Sequence, residues 1–154
     1  MNRLRIAILI VFATVWLSAA VAQEKKIKRS DLPPAVEKTV AAESKGATIR
    51  GFAMETENGQ INYEAQLMVD GHSKDIAMDA SGAILEVEEQ VTIEALPAAI
   101  KAGLQSKAGQ GRLVKVESIV KRDKLVAYEA QIMKDGKHSE VQVGPDGKAL
   151  DHDE

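Results

Sequence analysis

The sequence contains no cysteine, and aromatic residues make up only 3% of its 154 residues. Without cysteine the protein can form no disulfide, no thiolate metal site and no cysteine nucleophile, so its stability must come from packing. The one tryptophan, Trp16, lies in a segment that we expect to be removed. The core must therefore be built from Val, Ile, Leu, Met and Ala. Because 45% of the residues are hydrophobic and 28% are charged, the composition is that of a globular protein rather than a disordered one.

Residues 1–22 have the features of a cleavable export signal. Two arginines give a basic start, an apolar run follows from Ile6 to Leu17, and Ala20 and Ala22 form a small-x-small cleavage pattern. The alternative is a retained anchor, but the run is shorter than the roughly 20 residues of a membrane span. We therefore predict cleavage after Ala22, no stable membrane insertion afterwards, and a periplasmic or secreted protein. Export, and the lack of a GxxxxGK[ST] loop, argue against nucleic-acid partners and ATP chemistry.

Charge is distributed unevenly along the predicted mature chain. Residues 23–30 form a basic N-terminal segment, residues 31–94 carry 13 acidic against 4 basic side chains, and residues 95–154 carry 9 acidic against 10 basic ones. We interpret the acidic half as a solvated surface. The alternative is that it forms a docking face for a cationic partner.

An internal repeat organises the chain after the signal. The segment from Tyr63 to Gly71, YEAQLMVDG, matches the segment from Tyr128 to Gly136, YEAQIMKDG, at all but two positions. A Leu-Pro pair precedes each segment at nearly the same distance. The sequence therefore predicts a tandem duplication, with one repeat over residues 31–94 and the other over residues 95–154.

Each repeat is predicted to open with a helix and to continue as an antiparallel meander of about four short strands. Apolar residues four positions apart mark the helices, and a period of two marks the strands that meet at Asp-Gly hairpin turns. The predicted helix caps are Ser30 or Asp31 and Thr92 or Glu94, the predicted helix ends lie near Gly46 and Gly109, and the predicted last strands are Ile84 to Glu88 and a segment around Leu150. The pattern predicts an α+β fold in which the two repeats form one sheet with both helices on one face.

Strand alternation gives the candidate binding residues. Tyr63 and Tyr128 fall on the face that the helices should cover, and we expect both rings in the core. The opposite face is open to a partner, and its candidate partner-binding residues are Glu64, Gln66, Met68, Glu129, Gln131 and Met133. The alternative interpretation is that Glu and Gln solvate this face while Met fills gaps.

Catalysis, cofactor binding and a specific metal site have little support in the sequence. The pairs His72-Ser73 and His138-Ser139 lie at hairpin turns, where adjacent side chains point to opposite faces. The acidic tail from Asp151 to Glu154 and the carboxylates of residues 75–89 have no calcium-loop spacing. We therefore predict that the protein is not an enzyme, and we expect no cofactor and no metal.

The order Leu-Pro, helix, strand, Tyr-Glu-Ala-Gln, Asp-Gly, strand resembles the PepSY-like domains of exported bacterial proteins. The tandem arrangement resembles the fold of the β-lactamase inhibitor protein. The resemblance implies a secreted, non-catalytic module that binds or restrains other proteins. Our hypothesis is therefore a module that binds or inhibits a protein or peptide partner in the cell envelope. The alternative is an ion-responsive envelope accessory or sensor protein that uses its acidic first repeat.

Overall fold

Eight strands form a single antiparallel sheet in which every strand pairs with its neighbours in chain order. The computed structural model describes residues 25–57 and 59–151, so the predicted signal peptide and the last three residues lie outside the described part. The elements are β1 (Lys25–Ile27), α1 (Pro34–Glu43), β2 (Thr48–Glu57), β3 (Gln60–Val69), β4 (His72–Asp79), β5 (Ile84–Val91), α2 (Ala98–Ala108), β6 (Arg112–Lys121), β7 (Lys124–Lys134) and β8 (Lys137–Val143). The predicted α+β class and the single sheet are confirmed.

Both helices pack on the same face of the sheet. Val36 and Val40 of α1 lie in one core cluster, and Ile100 and Leu104 of α2 lie in a second one. On β5, Val87 packs against the first cluster and Val91 against the second. Because these two valines are four residues apart on one strand, their side chains point to the same face. The helices therefore cover one face together, as the sequence predicted.

The Asp-Gly turns have the predicted hairpin geometry. Asp70 and Gly71 have φ values of 48° and 85°, and Asp135 and Gly136 have values of 50° and 75°. Positive φ at both central residues is the signature of the turn that matches the twist of paired strands. These turns set the registers of β3 with β4 and of β7 with β8, and thereby fix which side chains share a face.

The predicted helix caps are wrong. A short 3₁₀ helix over Arg29–Asp31 precedes α1, and Pro33 is the N-cap residue of α1 with no side-chain cap. The carboxylate of Asp31 instead accepts a hydrogen bond of 2.9 Å from the backbone N–H of Lys28. The second half has the same arrangement, with a 3₁₀ helix over Ile93–Ala95 and Pro97 as N-cap, so neither Thr92 nor Glu94 caps α2. In both cases the Leu-Pro pair is extended and separates the expected cap from its helix.

The ends of several elements also differ from the prediction. Helix α1 ends at Glu43, three residues before Gly46, whereas α2 ends beside Gly109 as expected. Strand β1 lies in the basic N-terminal segment, to which the sequence pattern assigned no element, and β5 continues to Val91 instead of ending at Glu88. The segment around Leu150 is not a strand, because the backbone N–H of Gly144 bonds to the carbonyl of Lys148 and turns the chain away from the sheet.

Candidate functional site

The six predicted binding residues all lie on the open face, which we define as the sheet face opposite the two core clusters. In β3, Ala65 and Leu67 belong to the core, so the residues that alternate with them point the other way. In β7, Ala130 and Ile132 have the same role. The residues placed on the open face are Glu64, Gln66, Met68, Glu129, Gln131 and Met133, all of them half-buried.

The structure does not bring these six residues into one patch. Three of them lie on β3 and three on β7, with β4, β5 and β6 between the two sets. Within the sets, the side-chain amide of Gln66 donates to Glu64 over 2.8 Å. The amide of Gln142 on β8 donates to Glu129 over 2.8 Å. The predicted residues thus form two separate groups, one on each side of a broader surface.

Three carboxylates occupy the centre of that surface. Asp75 on β4 lies directly across from Glu88 on β5, and Glu117 follows on β6. One carboxylate oxygen from each of the three residues lies within 4.8 Å of the other two. We call these three residues the central carboxylate cluster. Carboxylate groups this close repel each other unless protons or cations offset their charge.

Glu117 is the most deeply buried member of the cluster, with 5% of its surface exposed. Nζ of Lys115 lies 2.6 Å from its Oε1, and the hydroxyl of Ser73 donates to the same oxygen over 3.2 Å. A buried charge is tolerated only when it is paired and hydrogen-bonded, and Glu117 has both kinds of partner. Ser73 therefore supports a carboxylate, rather than acting with the exposed His72 beside it.

The charges that act on Glu88 come from other carboxylates, whereas Glu117 lies beside a lysine. Burial raises the pKa of its carboxyl group to about 8, with further contributions from a hydrogen bond to Glu86 and from the negative charges of Glu86, Glu117 and Glu129. Because burial disfavours the charged form and the neighbouring charges are also negative, the neutral acid is favoured. Glu88 thus retains its proton at neutral pH, while a typical surface glutamate would have lost it.

The open face has buried apolar residues beneath its polar side chains. Ala53, Ile119 and Ala127 are 1%, 1% and 0% exposed, although they belong to neither core cluster. Ala53 pairs across strands with Glu64, and Ile119 pairs with Glu88, which places both on the open face. A depression of about 160 Å³ beside them is lined by Glu55, Glu64, Asp75, Ala77, Glu86 and Glu88. Longer acidic side chains therefore stand around small, deeply placed apolar ones.

The two tyrosines lie on the predicted face but are not fully buried. Tyr63 packs against the first core cluster and Tyr128 against the second, each as a partly buried residue at its margin. The expectation that both rings belong to the helix-covered side is correct. A substitution there removes less buried surface than a fully buried ring would.

The central carboxylate cluster was not predicted from the sequence. Alternation alone places Asp75 and Glu88 on the uncovered face, because the neighbouring residues Ile76 and Val87 point to the covered one. The sequence does not reveal that β5 pairs with β6, which places Glu117 diagonally across from Glu88. The carboxylate density of residues 75–89 was the visible signal, and the partner strand was the missing information.

Carboxylate oxygens at such separations are ligands that Ca²⁺ accepts, although that ion takes six to eight of them. Lys115, which pairs with Glu117, would have to be displaced or its charge compensated before such an ion could bind.

Neither helix among the described residues has the length and apolar character needed to cross a membrane.

Solved bacterial structures share this fold. A periplasmic protein from Bacteroides eggerthii matches with a TM-score of 0.62 at 15% identity, over 77% of this chain and 86% of that one. A DUF2874 family protein from Bacteroides ovatus matches with a TM-score of 0.59 at 17% identity, over 77% and 84%. A BLIP-like protein from Bacteroides fragilis matches with a TM-score of 0.56 at 20% identity, over 75% and 81%. No protein-family model and no curated protein sequence matches the chain.

Proposed function

We propose that the mature protein is a periplasmic, non-catalytic module that binds or inhibits a protein or peptide partner through its open face. The observation that carries this proposal is the asymmetry of the sheet. Two helices cover one face, while in the described part of the chain no helix or strand covers the other face. An uncovered sheet face that presents half-buried polar side chains together with methionines is a candidate recognition surface.

The likeness to BLIP-like and DUF2874 proteins supports the fold on which this proposal rests, and the export signal supports the compartment. The PepSY-like assignment is part of the same proposal. We also propose that the two halves arose by duplication. In support, Tyr63 and Tyr128 have matching places beside the two core clusters.

A pull-down from an envelope extract tests the proposal, with the mature chain from Gln23 as bait. The double variant Met68→Lys/Met133→Lys should lose the recovered partner while folding normally, because it places two cations on the open face. Its matched control is Ile61→Lys/Val114→Lys. That variant makes the same kind of change at residues that are 44% and 39% exposed and are not among the proposed binding residues. Equal recovery by both variants would contradict the proposed surface.

An ion-responsive accessory is the second candidate function, and the central carboxylate cluster favours it. The two functions differ in their response to metal. A peptide or protein binder should keep its partner in the presence of a chelator, whereas an ion-responsive protein should melt at a higher temperature with Ca²⁺ or Zn²⁺. Partner loss with chelator, together with such a shift, would favour the second function.

A further inference from the structure

The open face has a second, larger depression at the end where β6 turns into β7. Its volume is about 630 Å³, which lies within the roughly 300 to 1,000 Å³ of sites that bind small ligands. Every strand from β2 to β7 contributes to its lining. We call it the end depression, and the residues that decide its chemistry are Glu55, Asn62, Leu85, Lys121, Arg122 and Val126.

Two β-bulges turn aliphatic side chains into the end depression. The register of β5 with β4 skips Leu85, and the register of β7 with β6 skips Val126, so each is an extra residue on its strand. A bulge re-aims a side chain and is common beside functional sites. Both residues are half-buried, and in the described part of the chain neither packs against a core cluster. They therefore offer apolar surface to a ligand, unlike the fully buried residues beneath the open face.

Opposite charges lie on the two sides of the end depression. Glu55 on β2 supplies a carboxylate on one side, and Arg122 in the turn after β6 supplies a guanidinium on the other. Among the described residues neither of these two groups has an ion pair, whereas Lys121 pairs with Glu86 over 3.7 Å. A purely anionic ligand would meet three carboxylates in the lining, and a purely cationic one would leave Arg122 without a partner. The arrangement therefore complements a zwitterion.

The position of Arg122 is fixed by its backbone. Its N–H donates to the carbonyl oxygen of Leu85 over 3.1 Å, which ties the turn to the neighbouring bulge. Arg122 and Asp123 have φ values of 49° and 64°, as in the tight hairpin turns elsewhere in the sheet. The guanidinium thus extends from a rigid turn beside the apolar surface of the two bulges.

We infer that the end depression binds a short free peptide of about three residues. Its ammonium group lies at Glu55, its carboxylate is held by the guanidinium of Arg122, and an apolar side chain lies against Leu85 and Val126. Asn62 supplies a side-chain amide for the backbone of the peptide. This site goes beyond the proposed function, because neither methionine of the open face lines it.

The spacing of the charges fits a ligand of this length. Strands β2 and β6 are four strand spacings apart, which corresponds to about 19 Å. Because Glu55 and Arg122 line the same depression, their charged groups are closer together than their strands. An extended peptide rises about 3.3 Å per residue, so that three or four residues span about 10 to 13 Å. A single amino acid is too short to reach both groups.

Calorimetric titration of the mature chain with the free tripeptide Ala-Leu-Ala tests this inference. We expect saturable binding with a dissociation constant below about 1 mM. Acetylation of its N-terminus or amidation of its C-terminus removes one charge, and each change should weaken binding about tenfold. The peptide Ala-Gly-Ala, which lacks the apolar side chain, and free leucine, which is too short, should also bind more weakly.

Variants of the protein then assign each end of the peptide. Arg122→Gln should bind the free tripeptide about tenfold more weakly, but it should bind the amidated peptide as the unaltered chain does, because that peptide has no carboxylate to lose. Glu55→Gln should show the same relation to the acetylated peptide. The matched controls are Arg112→Gln and Glu140→Gln, which remove the same charges from exposed residues outside the end depression. They should change the affinity by less than about twofold, and all four variants should melt as the unaltered chain does.

Failure of the free tripeptide to bind would overturn the inference. Equal losses of the free and the amidated peptide in Arg122→Gln would also overturn it, and so would equal losses in the control variants, which would show general attraction. The pull-down is an independent measurement. A partner that the methionine variant loses, without tripeptide binding, leaves the proposed function standing and refutes the peptide site. Tripeptide binding without a methionine-dependent partner leaves the peptide site standing and refutes the proposed function.

Discussion

Glu88 is the residue whose chemistry departs most from its ordinary behaviour. Burial and the surrounding carboxylates raise its pKa from 4.5 to about 8. The folded chain therefore binds more protons at this site than the unfolded chain does, between about pH 4.5 and about pH 8. By linkage, stability falls as the pH rises through that window, and the full loss is present above the folded-state pKa. Glu88 thus lowers the free energy of unfolding at alkaline pH, whereas a fully solvated glutamate would not.

The first prediction is that Glu88→Gln stabilises the protein at pH 8 and leaves it nearly unchanged at pH 4. Glutamine resembles the neutral acid but cannot ionise, so the cost of the buried charge disappears. We expect a gain of about 1 to 3 kcal/mol in the free energy of unfolding at pH 8, because the site is only partly buried. Urea unfolding at the two pH values measures it. The control is Glu89→Gln, on the same strand but exposed, and an equal gain in that variant would contradict the argument.

Individual side chains were predicted well where alternation alone decides their direction. Glu64 and Met68 on β3 lie on the open face because Leu67 between them is in the core. Lys115 and Ser73 could not be assigned in the same way, because their role depends on Glu117 and therefore on pairing between distant strands. Local periodicity thus predicts the face of a residue but not its partners.

At the scale of elements, the turns after β4 and β8 tie the sheet to the helices. Gly82 has a φ of 79°, and the hydroxyl of Thr39 in α1 donates to its carbonyl oxygen over 2.7 Å. A Cβ placed on Gly82 would lie 2.5 Å from the carbonyl oxygen of Ala35. Gly147 packs in the same way against Ala99 of α2. The first turn of each helix therefore packs directly against the backbone of a glycine.

The second prediction separates this close packing from backbone strain. Gly82→Ala should destabilise the protein by about 3 kcal/mol or more, because the new methyl group meets the helix backbone and the residue has positive φ. Gly46→Ala has a similar φ of 80° but open space around it, so it should cost only about 1 to 2 kcal/mol. Thermal and urea unfolding of the two variants give the comparison. Equal losses would show that strain alone matters and that the turn does not hold the helix.

Helices and hairpins were predictable because each is set by local signals such as the Asp-Gly turns. The helix caps, strand β1 and the course of the segment after Gly144 were not predictable in this way. Strand β1 forms because its backbone pairs with β2, with Lys26 opposite Ala53, and no local pattern in a basic segment announces that pairing. The segment after Gly144 leaves the sheet because it packs on α2. Tertiary contacts decided these elements.

At the scale of the whole molecule, the pairing of β5 with β6 joins the two halves. Glu86 to Val91 pair continuously with Val116 to Lys121, so the sheet passes from one half to the other without an edge. Residues 31–94 contribute four strands and residues 95–154 contribute three, while β1 comes from the N-terminal segment. The second half therefore has one strand fewer than the first, although the repeated segments predicted similar units and each core cluster contains eight buried residues. The division into residues 31–94 and 95–154 stays a prediction about sequence units, while the sheet itself is continuous.

The last prediction concerns this junction. Separating the chain between Val91 and Glu94 exposes the paired edges of β5 and β6, and each piece is then a small sheet with one helix. We expect the second half alone to be poorly folded or aggregated, and the first half to melt at a lower temperature than the intact mature chain. Mixing the two pieces should restore part of the lost structure, because the β5 and β6 edges are complementary. Circular dichroism melts of each piece and of the mixture measure this. Two pieces that each melt cooperatively at the temperature of the intact chain would show independent domains. In that case the open face from β3 to β7 could not act as one rigid surface.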